Sequence, residues 1–156
     1  MPATKPNHRP TDYGVAHLPG SIFDGAPIIS VYTRAQALSD GVLVDVTKTA
    51  REAGFRCPVA VTAAVWAMIE NIPAGRRKVE TVAGRLWDVI WMARMAARLN
   101  PNRDVVNYRL ELPRIEQRLT PRGERGTLVK SLTLKLHAGP GDNGELVITI
   151  MQVAED

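Results

Sequence analysis

The chain has almost no cysteine. Cys57 stands alone among 156 residues, so no internal disulfide can form and the fold must rest on its core. With no thiol partner and no secretory signal, the expected compartment is the cytoplasm. Histidine is nearly as scarce. His8, His17 and His137 have no neighbour at metal-ligand spacing, so no metal and no cofactor is expected. Long apolar runs are missing. The most apolar stretch, residues 59–72, is too short to span a bilayer and is followed by Pro73, so no membrane partner is expected. No large charge surplus exists either: 20 basic residues oppose 16 acidic ones, a net +4. That excludes a strongly acidic imitation of DNA. It permits weak electrostatic contact with nucleic acid without requiring it.

What is present is a normal domain's share of core and surface, 45% hydrophobic and 23% charged residues. Residues 1–20 carry Pro2, Pro6, Pro10 and Pro19 among polar neighbours and read as a flexible proline-rich tail. Residues 21–156 read as a single α+β domain. Residues 27–32 form a short β-branched run and predict a strand. Thr33 sits where a helix N-cap belongs, ahead of a short helix over Arg34–Ser39 that Gly41 stops. Residues 42–46 are a second apolar run. Thr47 is placed to cap another short helix, ended by Gly54. Pro58 suits a helical first turn, and residues 59–71 show helical spacing in Val61, Ala64, Val65, Met68 and Ile69.

The longest predicted helix covers 80–99. Val82, Leu86, Val89, Ile90, Ala93 and Ala97 form one stripe, and Trp87, Trp91 and Met95 form a second beside it. The period then changes to two. Tyr108, Leu110 and Leu112 alternate with polar residues, as do Leu132, Leu134 and Leu136. Residues 146–151 are apolar on both faces and predict an interior strand. The glycine-rich connection 139–144 predicts a hairpin. The expected fold is α+β: two main helices packed on a mostly antiparallel sheet with a C-terminal β-hairpin.

Few residues offer chemistry. Cys57, placed before a helix start, would be a nucleophile only with a positioned base, and a small buried residue is the simpler reading. The 139–144 segment lacks the lysine and following helix of a phosphate-binding loop. Trp66, Trp87 and Trp91 suggest a base-stacking platform, against the more ordinary reading of core. Two groups of cations are candidate phosphate contacts: Arg76, Arg77 and Lys78, and then Arg114, Arg118, Arg122 and Arg125, diluted by Glu116 and Glu124. Tyr32, Thr33 and Arg34 resemble the NAD-binding opening of ADP-ribosyltransferases, with Glu145 or Glu111 as the required carboxylate. The plainer reading has Thr33 capping a helix and Arg34 paired with Asp40 or Asp45. The candidate binding residues are therefore Tyr32, Arg34, Asp45, Arg76, Arg77 and Lys78, and no catalytic set is assigned.

Several segments are shared with a known family. Ser30-Val31-Tyr32-Thr33-Arg34-Ala35, Asp40-Gly41-Val42-Leu43-Val44-Asp45-Val46, Ala50-Arg51-Glu52-Ala53-Gly54-Phe55, Gly84-Arg85-Leu86-Trp87-Asp88-Val89 and Gly139-Pro140-Gly141-Asp142-Asn143-Gly144-Glu145 resemble small uncharacterised proteins carried on bacterial plasmids and integrative conjugative elements. The resemblance runs from about Pro27 to the C-terminus. It implies a setting, the accessory cargo of mobile DNA, and brings no activity and no site residues. The expected function is non-enzymatic binding of a protein or nucleic-acid partner, with inhibition of a host defence system as its concrete form. The alternative is a small NAD-using enzyme resembling ADP-ribosyltransferases.

Overall fold

The computed structural model describes residues 32–119 and 125–155, with side chains described for 32–112 and 131–155. The proline-rich tail and all of the expected 27–32 strand except Tyr32 lie outside the described residues. The chain then alternates short helices and strands: α1 (Arg34–Ser39), β1 (Leu43–Asp45), α2 (Thr47–Glu52), β2 (Val59–Thr62), α3 (Ala63–Glu70) and α4 (Val82–Leu99). Three longer strands follow, β3 (Val105–Leu119), β4 (Arg125–Pro140) and β5 (Leu146–Gln152). They form a five-stranded sheet in the order β1-β2-β5-β4-β3. Among the described residues only the β2–β5 pair is parallel, so the fold is α+β with a mostly antiparallel sheet.

The helix starts obey local rules. Thr33 Oγ1 accepts from the Gln36 N–H, and Gln36 Oε1 accepts from the Thr33 N–H, a complete capping box for α1. Gly41, at φ 75°, takes the left-handed turn that stops α1. Thr81 Oγ1 accepts from the Gly84 N–H at 3.0 Å and starts α4. Thr47 departs from expectation. It is the first residue of α2 rather than its cap, and its hydroxyl donates to Asp45 and accepts from the Val59 N–H at 3.1 Å.

The expected helix over 59–71 is half wrong. Residues 59–62 are strand β2, and the helix begins only at Ala63, capped by Thr62. The physical reason is burial on both faces. Val59, Ala60 and Val61 point to alternate faces and all are buried, while β1 and β5 pair with the strand on either edge, so no wet helical face remains. A four-residue apolar run cannot tell the two periods apart. Downstream the helical spacing holds, with Val65 and Ile69 buried.

β5 is the interior strand its composition predicts. Val147 and Ile148, then Ile150 and Met151, are buried on alternate faces, with Val61 and Leu136 on either side of Ile150. The β4–β5 hairpin closes as expected: the Gly141 N–H donates to the Glu145 carbonyl, and Gly144 adopts φ 79°. α4 packs on the core through Leu86, Val89, Ile90 and Ala93, at helical spacing. Tyr108 on β3 donates its hydroxyl to the Val89 carbonyl at 3.2 Å, and burial pushes that hydroxyl's pKa well up. No helix among the described residues is long and apolar enough to cross a membrane.

The second stripe of α4 is not core. Trp87 is 37% exposed and Trp91 43% exposed, and their rings stack at 5.9 Å between centroids with 16° between planes. Trp66 alone packs against the core. Two indoles at i, i+4 outside the Leu86–Ala93 stripe satisfy each other on the surface. Trp87→Ala is therefore expected to cost about 1 kcal/mol, well under the ~3–5 kcal/mol of a buried ring. Urea denaturation of the variant checks this, and a loss in the buried-ring range would return Trp87 to the core.

Candidate functional site

Arg34 is placed by three elements at once. The N-terminus of α1 holds its backbone, where the Asp142 carboxylate from the β4–β5 turn accepts from the Arg34 and Ala35 N–H groups, each at 2.8 Å. Those two bonds hold the Asp142 carboxyl below the usual carboxylate range. The side chain reaches β5: one guanidinium nitrogen donates to Thr149 Oγ1 at 2.7 Å and the other to the Ile148 carbonyl at 3.0 Å. The expected pairing with Asp40 or Asp45 is thus replaced. Asp40 accepts from the Tyr32 hydroxyl at 3.0 Å, and Asp45 accepts from the Thr47 N–H and hydroxyl. Burial pulls the Arg34 pKa below its ordinary value, against the field of Asp142, Asp45 and Glu145.

Beside Arg34 lies a cleft of about 680 Å³, lined by Arg34, Leu38, Asp45, Thr47, Lys48, Arg51, Glu52, Pro58 and Ala60. The size falls in the range of small-ligand sites, roughly 300–1,000 Å³. Three cations and two carboxylates face it, and none forms an ion pair with another among the described residues. The site thus joins two of the residues picked out in the sequence, Arg34 and Asp45. Thr47, Lys48 and Arg51 were missed. Their signal was present in the i, i+4 spacing of Thr47 with Arg51 and of Lys48 with Glu52, which lines up polar groups along a short helix.

The other candidates lie apart. Tyr32 is exposed and is not among the cleft's lining residues; its hydroxyl, pushed up by desolvation and Asp40, is spent on α1. The Arg76-Arg77-Lys78 loop is partly a 3₁₀ turn, Ala74–Arg76, and is not free phosphate-binding charge throughout. Arg76 pairs with Glu80, and Arg77 Nε donates to the Ile72 carbonyl at 3.4 Å; Lys78 is exposed. The side chains of Arg114, Arg118, Arg122 and Arg125 lie outside the described ones. Cys57 precedes a strand rather than a helix, and burial pushes its thiol up despite the nearby Arg34 charge. Neither Glu145 nor Glu111, the alternative carboxylates of the enzyme reading, lines the cleft. Glu145 accepts from the Asn143 N–H at 2.9 Å in the hairpin turn, and Glu111 sits on β3, at the sheet edge opposite β1.

Fold and site together define a class: a small α+β protein with a cation-lined cleft between its first two helices and the β1–β2 edge of its sheet. Residues 20–156 match the family of unknown function DUF6573, and the chain belongs to that family. No curated protein and no solved structure matches it.

Proposed function

We propose that this protein works without catalysis, as a binding protein whose cleft receives an anionic group presented by a partner. Arg34 carries the reading. Its guanidinium is half-buried on the cleft wall, oriented by a hydroxyl and a carbonyl, and meets no carboxylate in ion-pair range among the described residues. Lys48 and Arg51 add positive charge from α2, beside the carboxylates of Asp45 and Glu52. An arginine fork fixed in this way favours a carboxylate or phosphate over a neutral ligand. The partner is a protein or a nucleic acid in the cytoplasm. The resemblance to proteins of plasmids and integrative conjugative elements supports a role as mobile-element cargo, with inhibition of a host defence system as the specific action. The NAD-using alternative shares the cleft but needs a carboxylate there in a catalytic role.

Thermal melts with sodium phosphate, NAD, a glutamate-rich peptide and a single-stranded oligonucleotide test this reading, because ligands of the folded state raise its stability with occupancy. Anionic ligands are expected to raise the melting temperature of the wild type and not of Arg34→Gln. Oligonucleotide binding is expected to be weak, insensitive to sequence and steeply reduced by salt. An equal shift in Arg34→Gln, or no shift up to millimolar ligand, overturns the proposal. NAD turnover would favour the enzyme instead. Arg34→Lys is expected to cost about 1–2 kcal/mol in chemical denaturation, because lysine cannot span Thr149 and Ile148 together. Wild-type stability in that variant would show that the fork is not structural.

A further inference from the structure

Trp91 of α4 borders a second hollow, which shares no lining residue with the Arg34 cleft. It holds about 430 Å³ and is lined by Asp88, Trp91, Met92, Arg109, Leu110 and Glu111. Trp91 and Met92 are both exposed, and Trp87 extends the same surface by stacking on Trp91. Its charges are two carboxylates against one guanidinium, a net −1 in a protein of net +4. Neither Asp88 nor Glu111 takes part in an ion pair among the described residues.

We infer that this hollow is a docking site for a basic peptide segment of a partner protein, which lays an arginine or lysine on the Trp91 face between Asp88 and Glu111. An indole face attracts a cation through its quadrupole, and adjacent carboxylates add the Coulombic attraction that a bare aromatic lacks. Exposed Met92 offers apolar contact to the residues flanking that cation. The same charges oppose a nucleic acid, whose phosphates would meet Asp88 and Glu111, so tryptophan stacking here favours a cationic peptide over bases.

The test uses the full chain and two acetylated, amidated pentapeptides, Gly-Leu-Arg-Leu-Gly and the same peptide with glutamate in place of arginine. Binding is read by isothermal titration and by tryptophan fluorescence. The arginine peptide is expected to bind and the glutamate peptide not to. Trp91→Ala should weaken the arginine peptide about tenfold, and Asp88→Asn with Glu111→Gln about as much, as expected for a desolvated cation–π contact. Arg34→Gln should leave this binding unchanged, which separates the site from the anion cleft. Equal affinity for both peptides, binding untouched by both sets of substitutions, or no arginine-peptide binding up to millimolar concentration overturns the inference. Unchanged denaturation curves for the Asp88→Asn, Glu111→Gln protein exclude a folding defect as the cause of lost binding.

Discussion

Arg85→Ala is expected to lower the unfolding free energy by about 3–5 kcal/mol, the scale of breaking a buried ion pair. Arg85 is only 5% exposed, the one buried charged residue among the described side chains. Its Nε and one terminal nitrogen donate to the same Glu80 oxygen at 2.9 and 2.8 Å, and its other terminal nitrogen donates to the Met68 and Asn71 carbonyls at 3.3 and 3.0 Å. Those carbonyls belong to the C-terminal end of α3, where helix geometry leaves acceptors without partners. One guanidinium therefore closes the end of α3, fixes the start of α4 and neutralises Glu80. Arg76, which also meets Glu80, is more exposed, and Arg76→Ala is expected to cost about 1 kcal/mol or less. Guanidinium denaturation of both variants checks the contrast. Equal, small losses would show that the pair adds little beyond its surface neighbour.

The same network predicts a pH dependence. Burial alone would raise the Glu80 carboxyl, but hydrogen bonds and charge from Arg85 and Arg76 outweigh it and bring it below its ordinary value of 4.5. A carboxyl depressed in the folded state stabilises that state above the unfolded value. The contribution is fully present at neutral pH, begins to fall below about pH 4.5, and is gone once the folded carboxyl is protonated. Arg85→Ala should flatten this acid limb of the stability curve. An acid limb identical to wild type would assign it to other carboxylates.

Sequence reading found the parts whose signal is local. Thr33, Gly41, and the alternation of Leu132, Leu134 and Leu136 each specify a cap, a stop or a strand within a few residues. It failed where the deciding partner is distant in sequence. β2 is a strand because β1 and β5 flank it, and β5 arrives nearly ninety residues later. Arg34 looked destined for Asp40 or Asp45, yet its acceptors are on β5 and its backbone partner is Asp142. Arg85 was visible only as part of Gly84-Arg85-Leu86-Trp87. Its carboxylate lies five residues back, off the i, i+4 spacing that a helix pattern reveals. The candidate cleft was half legible for the same reason: Arg34 and Asp45 stand beside short apolar runs, while Lys48 and Arg51 on a six-residue helix carry no local pattern that marks a cleft.

Ile150→Ala tests how tightly that cleft depends on the core, and it is expected to cost about 4 kcal/mol, within the 2–5 kcal/mol range of such truncations. Ile150 is fully buried in the central strand, with Val61 beside it in the parallel pair and Leu136 beside it in the antiparallel one. Strands on both sides hold the backbone in place, so the lost methylenes leave a cavity that cannot readily collapse. Ile150→Val removes one methylene and is expected to cost about 1 kcal/mol. The adjacent residues, Thr149 and the Ile148 carbonyl, are the groups that orient Arg34. If the strand shifts to fill the cavity, the fork moves with it. Ile150→Ala should then weaken anion binding under conditions where the protein is still folded, while Ile150→Val should leave it intact. Chemical denaturation gives the stability step, and phosphate titration below the unfolding transition gives the binding step. A large stability loss with unchanged binding would separate Arg34 from the core and make its orientation a property of α1 and Asp142 alone.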